Sequence, residues 1–169
     1  KTRGIVGEVQ LGMMLEQFLS PDQFIRNAQV KADSAERVEF AIRFFSRDGD
    51  GDGRLPIDAK FPHEDYDRLA QAADRADPDA VEAAARALEA AVRGFAKTIS
   101  DKYINPPETT DFAILYLPTE PLFAEILRRP GLHEQLQREY RVTVAGPTTL
   151  ACMLNAFQMG FRSLAIQKQ

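Results

Sequence analysis

The stretch "RVEFAIRFFSRDGDGDGRLPIDAKFP", residues 37–62, joins two short apolar segments through a run of alternating Asp and Gly. Both flanks, residues 37–45 and 54–61, are rich in Val, Ile, Leu and Phe, a composition typical of β-strands. Gly readily adopts positive φ and Asp makes Asx turns, so the run between them suits a turn. The stretch therefore predicts two antiparallel strands with a solvated connection.

The Asp-Gly run is also similar to the calcium-binding loop of an EF-hand. Counted from Asp48, the residues Asp50, Asp52 and Gly53 fall at the third, fifth and sixth positions of such a loop. The twelfth position, where an EF-hand has a bidentate Glu, is Ala59, and the flanks are strand-like rather than helical. We therefore expect a hairpin connection here, and the sequence leaves open whether the run binds a cation.

Asp58 and Lys60 lie two positions apart in the second predicted strand. Residues two apart on a strand point to the same face, so a carboxylate and an ammonium group are aimed at one place. A surface ion pair is the simplest interpretation. Glu39, in the preceding strand, reaches Asp58 only if the strand register sets the two opposite one another, and Glu8 lies on the first predicted helix. Clustered carboxylates repel unless a cation neutralises them, and oxygen ligands alone favour Mg²⁺ or Mn²⁺.

Length and composition indicate one globular domain, and the order of predicted elements along the chain gives it class α/β. The chain has 169 residues, 44% of them hydrophobic, and a formal net charge of −4, so nucleic-acid binding would require a local basic patch. Cys152 is the only cysteine, which excludes an internal disulfide, and its apolar neighbours predict a place in the core. No apolar run is long enough to span a membrane and no secretory signal is evident, so we expect a cytoplasmic domain without direct membrane contact.

Hydrophobic patterning beyond the opening stretch predicts a mixed sheet with helices packed on its faces. The predicted strands are residues 23–30, 37–45, 54–61, 111–119 and 141–147, and the predicted helices are residues 6–19, 79–104, 120–129, 131–140 and 148–166. Asp77 and Pro78 supply an N-cap and a first-turn proline for the longest helix. The first three strands form an antiparallel meander, to which the last two add further strands.

The order of acidic residues resembles that of the PD-(D/E)xK nuclease superfamily, with Glu on a first helix, an acidic residue on a middle strand and acidic-x-Lys on the next strand. Longer phrases are more specific. "KTRGIVGEVQL", "LPIDAKFP", "TTDFAILYLPTEPLFAEILRR" and "VAGPTTLACMLNAFQMGFRSLAI" are similar to the RmuC family of DNA recombination proteins, and the similarity runs over nearly the whole chain.

This resemblance implies a restriction-endonuclease-like fold and metal-dependent cleavage of DNA phosphodiester bonds in recombination or repair. Glu8, Glu39 and Asp58 would hold Mg²⁺ or Mn²⁺, and Lys60 would be the catalytic lysine. The sequence departs from the family pattern in having Glu39 where Asp is more common and Val6 where many relatives have Trp. Family members commonly carry an N-terminal membrane anchor and a coiled coil. Because the chain also begins at Lys rather than Met, we expect residues 1–169 to be the nuclease-fold domain of a longer protein.

DNA is the expected partner, and basic side chains are the candidates to contact it. These candidates are Arg3, Lys102, Arg128, Arg129, Arg141 and Arg162, although for any one of them a solvated surface charge is the favoured interpretation. The segment "GPTT", residues 146–149, either presents backbone amides to a phosphate or simply caps a helix. Two alternatives to a nuclease remain open: a DNA-binding or scaffolding module that does not cut, and a partner-binding domain.

Overall fold

The two strands predicted from the opening stretch are present and pair in antiparallel fashion. The computed structural model describes residues 2–45 and 52–167, in which β2 (Val38–Phe45) and β3 (Asp52–Ala59) are hydrogen-bonded neighbours. Their register runs from the Phe40–Ile57 pair to the Phe45–Asp52 pair. The flanks of the Asp-Gly run are therefore strands, which differs from the two helices that border an EF-hand loop. Residues 46–51, on which cation binding by the run would depend, lie outside the described residues.

Three further strands complete a mixed sheet, as the sequence predicts. They are β1 (Phe24–Ala28), β4 (Ala113–Tyr116) and β5 (Val142–Ala145), and the strand order is β1-β2-β3-β4-β5. The first three strands form the antiparallel meander, whereas β3, β4 and β5 run parallel to one another. The carboxyl ends of three parallel strands therefore share one edge of the sheet, and the Asp58 and Lys60 positions lie at that edge.

Helices alternate with these strands along the chain. They are α1 (Thr2–Phe18), α2 (His63–Asp74), α3 (Pro78–Tyr103), α4 (Glu120–Arg128), α5 (Leu132–Gln135) and α6 (Pro147–Gln167), with a 3-10 turn at Pro21–Gln23 and a π-helical turn at Leu136–Tyr140. The predicted start of α3 is confirmed, because the Asp77 side chain accepts a hydrogen bond from the Ala80 amide at 3.2 Å and Pro78 opens the helix.

The sheet is buried on both faces by two layers of helices. On β4, Ile114 and Tyr116 pack against α1 and α6, whereas Ala113 and Leu115 pack against α3 and its neighbours. This alternation explains why the segment is a nearly continuous apolar run. The partner of Leu115 on β3 is Asp58, which therefore belongs to the α3 face of the sheet.

Helix α6 differs from its prediction in its start and in the position of Cys152. The helix begins at Pro147, one residue before the predicted start, and near this start the hydroxyl of Thr149 accepts a hydrogen bond from the Gly146 amide at 2.8 Å. Cys152 is exposed rather than buried, because the buried stripe of the helix follows Leu150 and Leu154, and a residue midway between these two points away from the stripe. Among the described helices, none combines the length and apolar character needed to cross a membrane.

Candidate active site

The strand register brings Glu39 and Asp58 together, a point that the sequence alone leaves undecided. Phe40 on β2 pairs with Ile57 on β3, and the same antiparallel register carried one residue further sets Glu39 opposite Asp58. The Glu39 carboxylate also accepts a hydrogen bond from the Ala59 amide at 3.1 Å. At this end of β3, the Ala59 amide thus donates to the side chain of Glu39 instead of to a backbone oxygen of β2.

Asp58 and Lys60 form an ion pair across the two positions of β3 that share a face. The Lys60 Nζ lies 3.3 Å from Asp58 Oδ2, and the Asp58 side chain is almost fully buried, whereas 37% of the Lys60 side chain is exposed. The Lys60 ammonium group is therefore accessible from solvent, whereas the Asp58 carboxylate that it contacts is not. Such an arrangement lets Lys60 contact a ligand while Asp58 holds its orientation.

Glu8 reaches the same place from α1, because small residues let the helix approach the sheet closely. A Cβ added to Gly7 would lie 3.0 Å from Pro118 Cγ and 3.9 Å from Ala59 Cβ, so a larger residue would push α1 away from the ends of β3 and β4. Glu8, the next residue, is close enough to the carboxyl group of Glu39 to help raise its pKa. The structure thus brings together all four residues that the sequence analysis selects.

Burial and mutual repulsion change the protonation of this cluster. Burial is the main reason that the pKa of Glu39 rises to about 9, and the negative charge of Asp58 raises it further, while the Ala59 amide opposes the shift. Burial also raises the pKa of Asp58, although Lys60 and a hydrogen bond from Glu39 oppose this rise. Burial and the charge of Asp58 therefore favour the protonated form of Glu39, and the two carboxyl groups titrate together.

The donor set of the cluster suits a hard divalent cation in its chemistry. Glu8, Glu39 and Asp58 offer only oxygen atoms, the ligands that Mg²⁺ and Mn²⁺ prefer. Within the ranges that the structure describes, no three His, Cys, Asp or Glu side chains are arranged to hold a metal ion as they lie. Burial and the neighbouring carboxylates raise the pKa of Glu39, and a divalent cation at these oxygens would favour its charged form.

Tyr103, the last residue of α3, is a neighbour of the cluster that sequence reasoning missed. Burial raises its pKa to about 12, and the charges of Asp58, Glu36 and Glu39 contribute in that order. It ends the buried stripe of α3 that includes Ala96 and Ile99. This helical spacing places the residue on the sheet-facing side, but nothing in the sequence indicates which strand positions it meets.

The basic residues proposed to contact DNA lie in different places, and three are paired with carboxylates. Lys102 Nζ lies 3.6 Å from Glu36 Oε2, and Arg129 Nε donates to Glu89 Oε1 at 2.9 Å. Arg128 is paired with Glu125 through two hydrogen bonds.

The remaining candidates for DNA contact are three arginines and the "GPTT" segment. Arg141 and Arg162 are exposed, and Arg141 has a left-handed backbone with φ 56°. The side chain of Arg3 lies outside the described part of the chain. The Thr148 amide in the "GPTT" segment donates to Glu120 Oε1 at 2.5 Å, so a carboxylate of the protein takes up the amide that a phosphate could use.

Comparisons with known proteins give one consistent family. The sequence model of the RmuC family matches residues 1–169. Two relatives are named DNA recombination protein RmuC homolog, from Xylella fastidiosa strains Temecula1 and 9a5c, and each is 52% identical over 170 residues that cover 100% of this chain. The chain spans 37% of the length of these relatives. No solved structure gives a significant match.

Proposed function

This chain belongs to the RmuC family, and on that premise we propose that it is a metal-dependent deoxyribonuclease domain acting in DNA recombination or repair. The observation that carries this proposal is the meeting of Glu8, Glu39, Asp58 and Lys60 at the carboxyl edge of the sheet. Two strands and a helix contribute these residues in the order expected of the PD-(D/E)xK superfamily. We infer that the five-stranded mixed sheet is of the restriction-endonuclease-like kind.

The proposed cofactor is Mg²⁺ or Mn²⁺, held by Glu8, Glu39 and Asp58. When bound, the ion would supply positive charge for phosphate oxygens and make water more acidic. Glu39 must lose its proton to become a ligand, and its burial opposes this loss, so metal affinity depends on pH. The three carboxylates fix the place where a phosphodiester group is attacked.

Lys60 acts on the phosphate rather than on the metal. Its ammonium group is partly exposed and is held by Asp58 Oδ2 at 3.3 Å. As the phosphodiester bond breaks, negative charge grows on the phosphate oxygens, and a positioned cation stabilises that charge. Asp58 thus has two roles, since it is a proposed metal ligand and also orients the lysine.

The test compares metal binding and DNA cleavage in the wild type and in Asp58→Asn. Calorimetry with Mg²⁺ and Mn²⁺ is followed by cleavage assays on single-stranded, duplex and branched DNA with the same samples. We expect both metal binding and cleavage to be lost in Asp58→Asn and retained in Asp111→Asn, a matched control at an exposed position before β4. Metal binding that survives in Asp58→Asn would show that the cation is held elsewhere.

A DNA-binding module without nuclease activity is the second candidate. It is favoured because, among the described residues, no three His, Cys, Asp or Glu side chains are arranged to hold a metal ion. The variant Lys60→Met distinguishes the two candidate functions. Loss of cleavage with retained DNA binding supports the nuclease, whereas a wild-type protein that binds DNA without cutting it in either metal supports the module.

A further inference from the structure

Hydrogen bonds to the segment that precedes β2 hold the end of α3 beside the carboxylate cluster. Lys31 Nζ donates to the Asp101 backbone oxygen at 2.6 Å, and Asn105 Nδ2 donates to the Val30 backbone oxygen at 3.1 Å. These two hydrogen bonds lie on either side of Tyr103 in the sequence. The position of the tyrosine relative to the sheet is therefore fixed by its surroundings and does not depend on its own hydroxyl group.

The ring of Tyr103 is half-buried and packs against two hydrophobic clusters at once. One cluster contains Leu115, the β4 partner of Asp58, and the other contains Val38 and Ala41, which lie one residue before and two residues after Glu39 on β2. In the strand order, Glu39 on β2 and Asp58 on β3 lie between β1 and β4. A ring that contacts both clusters lies over the α3 face of the sheet beside the site.

The hydroxyl group of Tyr103 is an uncommitted donor. It donates no hydrogen bond to any residue in the part of the chain that the structure describes. Tyr103 is half-buried, and its hydroxyl is not among the buried side-chain polar atoms without a partner in that part, where His133 Nδ1 is such an atom. By contrast, Asp58 is already paired with Lys60, and Glu39 already accepts from the Ala59 amide.

The hydroxyl group of Tyr103 is a phenol, which is protonated at neutral pH. A neutral phenol in this setting can donate to an anion without adding charge of its own. Phosphate oxygens that approach Lys60 and the carboxylate cluster would meet this donor at the edge of the site.

We propose that Tyr103 is a substrate-contacting residue whose hydroxyl donates a hydrogen bond to a phosphate oxygen of the DNA strand bound at this site. The inference rests on the proposed function, because it takes DNA to be the substrate. It adds a contact from α3, whereas the four residues selected from the sequence come from α1, the two strands and the segment directly after β3. The hydrogen bond fixes the phosphate on the side opposite to α1.

The test is Tyr103→Phe, which removes the hydroxyl group and keeps the ring that packs against both clusters. A hydrogen bond to a charged group is lost, so we expect kcat/KM for DNA cleavage to fall roughly tenfold or more. The thermal unfolding midpoint should stay at the wild-type value. Tyr140→Phe is the matched control, because Tyr140 is also half-buried and packs against the first of the two clusters. We expect it to cut DNA at the wild-type rate.

A second measurement separates this inference from the proposed function. Affinity for a short single-stranded and a short duplex oligonucleotide is measured by fluorescence anisotropy in the presence of a chelator, where no cleavage occurs. We expect Tyr103→Phe to bind several-fold more weakly than the wild type and Tyr140→Phe. The inference is overturned if Tyr103→Phe binds and cleaves DNA as the wild type does. It is also overturned if the variant loses binding and cleavage together with a lowered thermal unfolding midpoint, because the loss would then come from unfolding. If the wild type binds DNA without cutting it, the proposed nuclease fails and the affinities still decide the role of Tyr103. If it does not bind DNA, both proposals fail.

Discussion

At the scale of single residues, the candidate site contains a buried carboxyl group, Asp58, and a half-buried one, Glu39, which have different partners. Asp58 has the ammonium group of Lys60 at 3.3 Å, which favours its charged form. Glu39 accepts a hydrogen bond from the Ala59 amide, but burial and the charges of Asp58 and Glu8 outweigh it. These surroundings favour the protonated form of Glu39, and the two groups titrate together.

The first prediction concerns stability against pH in the metal-free protein. The pKa of Glu39 rises from 4.5 in the unfolded chain to about 9 in the folded one, so the folded state holds the proton more tightly. Its contribution to stability is fully present below about pH 4.5 and is lost as the pH rises towards about 9. In Glu39→Gln the side chain cannot ionise, so we expect the free energy of unfolding at about pH 8 to increase by about 1–3 kcal/mol, since partial exposure reduces the full effect.

Urea unfolding in the presence of a chelator, repeated across the pH range, measures this difference. Glu134→Gln is the control, since Glu134 is exposed on α5 and should leave the pH dependence unchanged. A pH profile of Glu39→Gln that parallels the wild-type profile would show that Glu39 ionises normally in the folded protein.

At the scale of elements, the junction between β5 and α6 depends on a glycine without a side chain. A Cβ on Gly146 would lie 2.8 Å from both Cβ and Cγ of Phe123, a distance that real Cβ contacts essentially never show. Phe123 lies in α4 and packs in the core, so it has little room to move. The junction therefore fixes the distance between α4 and the carboxyl edge of the sheet.

We predict that Gly146→Ala lowers the free energy of unfolding by about 1–3 kcal/mol, because overpacking displaces the core. Gly94→Ala is the matched control. Gly94 lies within α3, and nothing lies within 4 Å of an added Cβ there. Ala is the better helix former, so this change should raise stability by about 0.5–1 kcal/mol. Chemical denaturation of both variants measures the two effects, and equal stabilities would contradict the steric account.

The elements were more predictable than the contacts between them. Alternation of polar and apolar residues correctly predicted the β2 and β3 pair and put Asp58 and Lys60 on one face, because a strand repeats every two residues. The pairing of Glu39 with Asp58 required the strand register, which the alternation of polar and apolar residues does not fix. Tyr103 lies far from both in the sequence, and its contact depends on how α3 packs over the sheet. Such long-range packing leaves no local signal.

At the scale of the whole molecule, the site requires every layer of the fold. Glu8 comes from the helical layer of α1 and α6, the sheet supplies Glu39 and Asp58, Lys60 follows β3 directly, and Tyr103 comes from the opposite helical layer. No one of these elements holds the cluster by itself. A ligand that binds the cluster therefore binds only the folded state and should stabilise the whole domain.

The last prediction follows from this linkage and from the proton on Glu39. If Mg²⁺ binds at the proposed ligands, it raises the thermal unfolding midpoint, and the rise should be larger at about pH 8.5 than at about pH 6.5, because a metal ligand must first lose its proton. Affinity should increase by up to about tenfold per pH unit below the pKa of Glu39. Differential scanning fluorimetry with and without Mg²⁺ measures the effect. Asp58→Asn should lose the rise and Glu39→Gln should lose its dependence on pH, whereas equal rises in the wild type and Asp58→Asn would place the cation away from β3.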